Sequence, residues 1–157
     1  MTTGPITQLT PAEKRIAQHL IKGITTADIS TQMHLSPHTV KSHIRVLRGK
    51  LQCPPRCSLT VLVQALMSSR QVDPPTSLGP APDLNSQQLR LLRAVAHHSG
   101  AYDIARAAKI VPADVRADVE ALVAAAGAAN PAHMVALAHA WSLLGQNQEA
   151  ARAGGTR

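Results

Sequence analysis

Apolar residues recur along this chain at helical spacing, in blocks separated by turn signals. Positions 12, 16, 17, 20 and 21 fall on one face when successive residues are set about 100° apart. Thr10 stands just before this block, Pro11 at its first helical position and Glu13 three residues after Thr10. That is a capping box with proline at the helix start, and Gly23 marks the end of the predicted helix. A second, short helix is predicted over roughly 26–33. A third takes Ser36 as its N-cap, with Pro37 after it, and runs to about residue 51. Pro54 and Pro55 prevent it from continuing. Ser58 caps a fourth, with Leu59, Leu62, Val63 and Leu66 on one face. That fourth segment, residues 59–67, is apolar nearly all round. It therefore calls for a partner surface beyond its own core, with deeper burial against the second half of the chain as the plainer alternative.

The stretch Val72–Pro82 is rich in Pro, Gly and Ser and reads as a linker, because it cannot sustain a helix. The halves on either side are related. Shifted by 75 positions they align without a gap over about 58 residues, with nine identities. Leu9 falls on Leu84, Arg15 on Arg90, Asp28-Ile29 on Asp103-Ile104 and Pro37 on Pro112. Val40 falls on Val115, Leu47 on Leu122, Leu62 on Leu137 and Ala65 on Ala140. The shared apolar periodicity and start signals weigh more than the identities. Asn85 and Gln88 sit where Thr10 and Glu13 sit. A helix is expected near 102–108 after Gly100, another opening at Pro112, and a last one over 132–144. The expectation is an all-α protein of two tandem four-helix units, 6–70 and 84–146. A linker at 71–83 joins them, and a flexible tail follows at 147–157.

Composition narrows the class. The chain has 157 residues, 45% of them hydrophobic, with one Trp, one Tyr and no Phe. Such a core is aliphatic and suits packed helices better than a sheet sandwich. No apolar run of membrane-spanning length occurs, and Met1–Pro5 has no basic segment leading into an apolar one. Two cysteines do not make a disulfide framework, so a cytoplasmic setting is expected. No acid pair, nucleophile–base set or Gly-rich phosphate loop stands out, so neither an enzyme nor a cofactor is expected. The formal net charge of +7 points to an anionic partner. All of it lies in residues 1–70, which hold nine Lys/Arg and two acids. Residues 71–157 hold seven of each.

The third predicted helix concentrates that charge. Val40, Ile44, Leu47 and Leu51 form its apolar stripe. Lys41, Arg45 and Arg48 lie beside the stripe, and His38 and Ser42 continue the exposed face. Residues 36–52 hold four Lys/Arg and no acid. Cations beside phosphates release counterions and supply affinity, and short polar groups near a helix N-terminus can approach base edges. A solvated basic face on an ordinary surface helix is the plainer alternative. The capped short helix and tight turn just before it favour the nucleic-acid reading.

Residues Leu9 to about Leu66 resemble the LuxR-type (GerE-type) helix-turn-helix domain of bacterial transcription regulators. The resemblance rests on Leu9-Thr10-Pro11-Ala12-Glu13, Gly23 and Ala27-Asp28-Ile29. Its most specific part is Ser36-Pro37-His38-Thr39-Val40-Lys41-Ser42-His43, followed by Leu47 and Lys50-Leu51. It implies a four-helix fold with the third helix in the major groove. It also implies that Thr39, Val40, Lys41 and His43 face DNA, with Lys50 near the backbone. Dimerisation through the fourth helix is implied as well, which would use Leu59, Leu62, Val63 and Leu66. By helical position, His43 and Lys50 lie on the opposite flank of the apolar stripe from Lys41, so they either straddle the groove or support the core. The fourth region of sigma factors shares this plan, but His43 and Lys50-Leu51 favour the LuxR type.

In the second half, Val111–Gly127 has Arg116 against Asp114, Asp118 and Glu120, so the charge passes from +4 to −2 at matched positions. Such a helix is repelled by phosphates. The second unit is therefore expected to serve dimerisation, to dock on the first unit as a pseudo-dimer, or to contact RNA polymerase or another regulator. Cys53 and Cys57, with His34, His38 and His43 nearby in sequence, raise a zinc alternative. Small thiols at a helix–helix turn are the simpler reading, and no metal is expected. His97-His98 reads as a solvated helix end, and Trp141 as part of the second core. The expectation is thus a bacterial, nucleoid-associated regulator of transcription that binds double-stranded DNA in sequence-specific fashion. A protein-interaction module, its basic helix directed at an acidic protein, is the alternative. The scarcity of aromatic residues argues against a binder of single-stranded RNA.

Overall fold

The computed structural model describes residues 8–54, 56–75 and 81–144. The chain start read for a leader, the middle of the linker and the expected tail lie outside the described residues. Every regular element among the described residues is helical. The order is α1 (Pro11–Ile21), α2 (Thr26–Met33), α3 (Pro37–Lys50), α4 (Leu59–Ser69), α5 (Ser86–His97), α6 (Ala101–Ala108), α7 (Val115–Ala126) and α8 (Pro131–Ala140). A 3₁₀ turn at Pro112–Asp114 leads into α7.

Local chemistry sets the starts of these helices. The Thr10 hydroxyl accepts the Glu13 N–H at 3.2 Å, and the Glu13 carboxylate accepts the Thr10 N–H at 2.9 Å. Asn85 and Gln88 make the same reciprocal pair at the start of α5, at 2.8 and 2.9 Å. Thr25, Ser36 and Ser58 cap α2, α3 and α4 through their hydroxyls. Val111 has no such oxygen, and after it the chain makes the 3₁₀ turn before α7 begins at Val115. The helix expected to open at Pro112 therefore starts later. The last helix ends at Ala140 rather than 144, with Trp141 as its C-cap.

The two halves repeat several backbone details at an offset of 75. His34 and Lys109 both take left-handed φ, 58° and 62°, as do Gln52 and Gly127, 60° and 67°. The Leu35 N–H reaches the Ser30 carbonyl and the Ile110 N–H reaches Ala105, each at 3.0 Å. Cys53 to Arg48 and Ala128 to Val123 repeat at 2.8 and 3.1 Å. Ile16, Ile29, Val40, Leu47 and Leu62 are buried, and so are Leu91, Ile104, Val115, Leu122 and Leu137.

One contiguous apolar cluster runs through both halves. Within the first half α1 packs on α2, α3 and α4, and α2 on α3. Within the second, α5 packs on α6, α7 and α8, and α7 on α8. The halves meet through α4 on α8, α4 on α5 and α1 on α8. Six of the ten residues of α8 are buried, and at 100° spacing they surround its axis. On α4, Thr60, Leu62, Val63, Leu66 and Met67 are buried, an arc of about 160°. That is wider than contact with one neighbour requires. The apolar surplus of α4 is thus covered by the second half of the same chain.

Candidate nucleic-acid interface

The helix-turn-helix is built from α2, a three-residue turn and α3. His34 ends α2 in the left-handed region, the Leu35 N–H bonds the Ser30 carbonyl, and the Ser30 hydroxyl donates to the Leu35 carbonyl. These bonds fix the course of the chain out of α2. Ile29 is buried on α2 and meets the apolar stripe of α3, where Val40, Ile44 and Leu47 are buried, with Leu51 just beyond the helix. The first turn of α3 is closed by the Ser36 hydroxyl, which accepts the Thr39 N–H at 3.1 Å and lies 2.9 Å from the Thr39 hydroxyl. The α3 N-terminus thus carries short polar groups and an exposed His38.

The face of α3 beside this buried stripe is basic. Lys41 and Arg45 are exposed and have no ion-pair partner among the described residues. Arg48 and Ser42 are half-buried. The Nε of Arg48 is buried with no hydrogen-bond partner among the described residues. Val46 lies on the exposed face beyond Ser42, about 100° round the helix from Arg45, and is 44% exposed. Sequence reasoning passed over it, because apolar residues on a helix are read as core. An exposed valine there can pack against a thymine methyl.

Two residues expected at the DNA surface are placed elsewhere. Val40 is 0% exposed, so its side chain belongs to the core and cannot touch a base edge. Its place in the apolar stripe already carried that signal. Lys50 turns back to α1, where its Nζ is 2.6 Å from Glu13 Oε1 and 3.4 Å from the Gln8 carbonyl. Burial alone raises the Glu13 carboxyl, but the Lys50 ammonium and the Thr10 N–H outweigh it and hold it below its ordinary value. Lys50 therefore clamps the end of α3 to the start of α1. His43, half-buried on the same flank, lies away from the basic stripe.

Cys53 and Cys57 are free and follow α3. Burial and the neighbouring Cys57 push the Cys53 thiol up to about 11, with the Arg48 guanidinium opposing. No group of three or more His, Cys, Asp or Glu side chains able to hold a metal comes together among the described residues. None of their helices is by itself long and apolar enough to cross a membrane.

The matched helix α7 presents a different surface. Asp114, Arg116 and Glu120 are exposed and Asp118 is half-buried. Arg116 lies 3.5 Å from Glu120 on the surface. Residues 85, 88, 110 and 118 border a shallow groove beside α7, lined also by Leu91 and Leu122.

No curated protein and no solved structure matches the chain. The basic α3 is set on α2 by a tight turn and capped at its N-terminus. Residues 7–63 match the model of the bacterial regulatory proteins of the luxR family, and this match supports a DNA-binding helix-turn-helix transcription regulator.

Proposed function

We propose that the chain is a sequence-specific regulator of transcription that binds double-stranded DNA, with α3 in the major groove. The observation that carries this reading is the exposed pair Lys41 and Arg45, without an ion-pair partner among the described residues, on a helix whose neighbouring face is locked into the core. Lys41, Arg45 and Arg48 are the phosphate-facing cations, and Ser36, His38, Thr39 and Ser42 are the polar groups near the base edges. His43 flanks them. Lys50 holds α3 to α1 and acts on DNA only through that geometry.

We further propose that residues 84–146 are a second, degenerate copy of the same unit. The common offset of 75 in turns, caps and buried positions supports it. This copy does not read DNA, because α7 is acidic where α3 is basic.

A salt titration of duplex binding tests the function. Several phosphate contacts give a steep loss of affinity, with a log–log slope of about −0.9 per contact. Lys41→Glu with Arg45→Glu should weaken binding roughly a hundredfold at low salt. Absence of duplex binding at low salt, or indifference to the double reversal, defeats the reading in favour of an acidic protein partner.

A further inference from the structure

The interface between the halves has a pattern beyond simple packing. Its central polar contact joins Gln64 on α4 to His139 on α8, with Nε2 of the ring 2.6 Å from the amide oxygen. These residues are 75 apart, so each is the other's counterpart under the shift that aligns the halves. A residue that meets its own counterpart sits on a two-fold axis. The flanking contacts obey the same rule. α1 packs on α8 and, reciprocally, α5 packs on α4.

Two polar contacts flank the axis, one on each side. Asn130 Nδ2 donates to the Gly23 carbonyl at 2.9 Å, joining the turn after α1 to the start of α8. The Ser58 N–H donates to the Ser99 hydroxyl at 2.9 Å, joining the start of α4 to the turn after α5. The backbones are close at the first of these. A Cβ on Gly23, whose φ is 80°, would stand 2.9 Å from the Cβ atoms of both Ala129 and His133. This position requires glycine for two reasons, conformation and space.

We infer that the second half is a built-in partner for the first: α8 fills the face of α4 that a second copy of the chain would otherwise cover, so one chain binds DNA as a monomer with a single reading helix. The inference rests on the DNA-binding reading for its last clause only. The pseudo-two-fold that exchanges α4 with α8 also exchanges α3 with α7. A duplex lying along both would meet cations on one side and Asp114, Asp118 and Glu120 on the other. Half of a symmetric operator is thereby left unread.

The test needs no DNA, so its failure is separate from failure of the DNA-binding reading. Sedimentation equilibrium of the unaltered protein should give the monomer mass, 16.6 kDa, across the micromolar range. A concentration-dependent dimer overturns the inference. Gln64→Cys, treated with a short bismaleimide, should give no cross-linked dimer beyond that of the unaltered chain. Gln64→Cys with His139→Cys should give an in-chain link, identified by mass spectrometry of the digested protein. A dimer cross-linked through the single variant, or a double variant without the in-chain link, contradicts the arrangement. Buried Cys57 and the raised thiol of Cys53 keep the background low, and the unaltered chain measures it.

Discussion

α3 and α7 follow matching turns, carry matching buried residues and differ almost wholly in what they show to solvent. Val40 and Leu47 are buried in one, Val115 and Leu122 in the other. On the outside, Lys41 faces Arg116 in the alignment, His43 faces Asp118 and Arg45 faces Glu120. The core positions tolerate little, because each change of volume there alters the packing of three or four helices. The surface positions are free to change sign. Two helices with matching buried positions can therefore present surfaces of opposite charge. The second difference is at the clamp. Glu13 and Lys50 tie α1 to α3, whereas Gln88 and Ala125 stand at the matched positions and cannot form an ion pair.

The comparison is broken first at the shared core. Leu47→Ala and Leu122→Ala should each cost about 2–5 kcal/mol in chemical denaturation, since both side chains are fully enclosed. Because one apolar cluster spans the halves, each variant should lower a single common transition. Two separate transitions would show halves that fold independently.

The clamp comes next. Lys50→Met should cost about 2 kcal/mol by leaving a buried carboxylate unpaired, whereas Ala125→Lys in the second half should add nothing measurable. Thermal melting of the two variants checks this. If Lys50→Met lowers duplex affinity without lowering stability, Lys50 is a DNA contact rather than a clamp.

Acid should act on the joint between the halves. Burial lowers the His139 imidazole to about 4, with His97 adding repulsion, and burial also lowers His133. Folded-state values below the unfolded one mean that this contribution is complete above about pH 6.5 and falls as pH drops toward 4. The lowered Glu13 carboxyl acts in the same direction, its contribution complete above about pH 4.5 and lost as pH falls below that value. A series of melting curves from pH 7 to pH 4 should show this decline, and His139→Gln should flatten it. An undiminished pH dependence in that variant would assign the effect to other groups.

The smallest effect is expected on the acidic face. Arg116→Ala removes a surface ion pair whose side chains are 91% and 70% exposed, and stability should change by less than about 0.5 kcal/mol. Duplex affinity should not fall, as measured by the same salt titration. A clear loss would make α7 a second reading helix.

Helix starts were the most legible part of the fold. Thr10 with Glu13, Ser36 with Thr39 and Asn85 with Gln88 cap helices by bonds that span three residues. Such bonds depend on local sequence alone. The basic stripe of α3 was legible for the same reason, as helical spacing places Lys41, Arg45 and Arg48 beside the buried face. Val46 was not, because spacing says only which face a residue is on and not whether a neighbour covers it. The late start of α7 is not legible from Pro112, since a proline favours a helix start but does not supply the cap that one needs. Val111 lacks an oxygen for that task.

The sequence by itself determined the all-helical class, the charge asymmetry between the halves and the identity of the basic helix. These follow from local periodicity and from side chains whose charge needs no partner to be known. Only the tertiary structure decided the use of Lys50, which depends on a carboxylate 37 residues away in sequence. It alone decided what covers α4. An apolar helix face states that it must be buried, and any apolar surface meets that demand, whether from the same chain or from another. The contact of Gln64 with His139 and the backbone approach at Gly23 place α8 there, because directional bonds and steric fit select among surfaces that hydrophobicity treats alike.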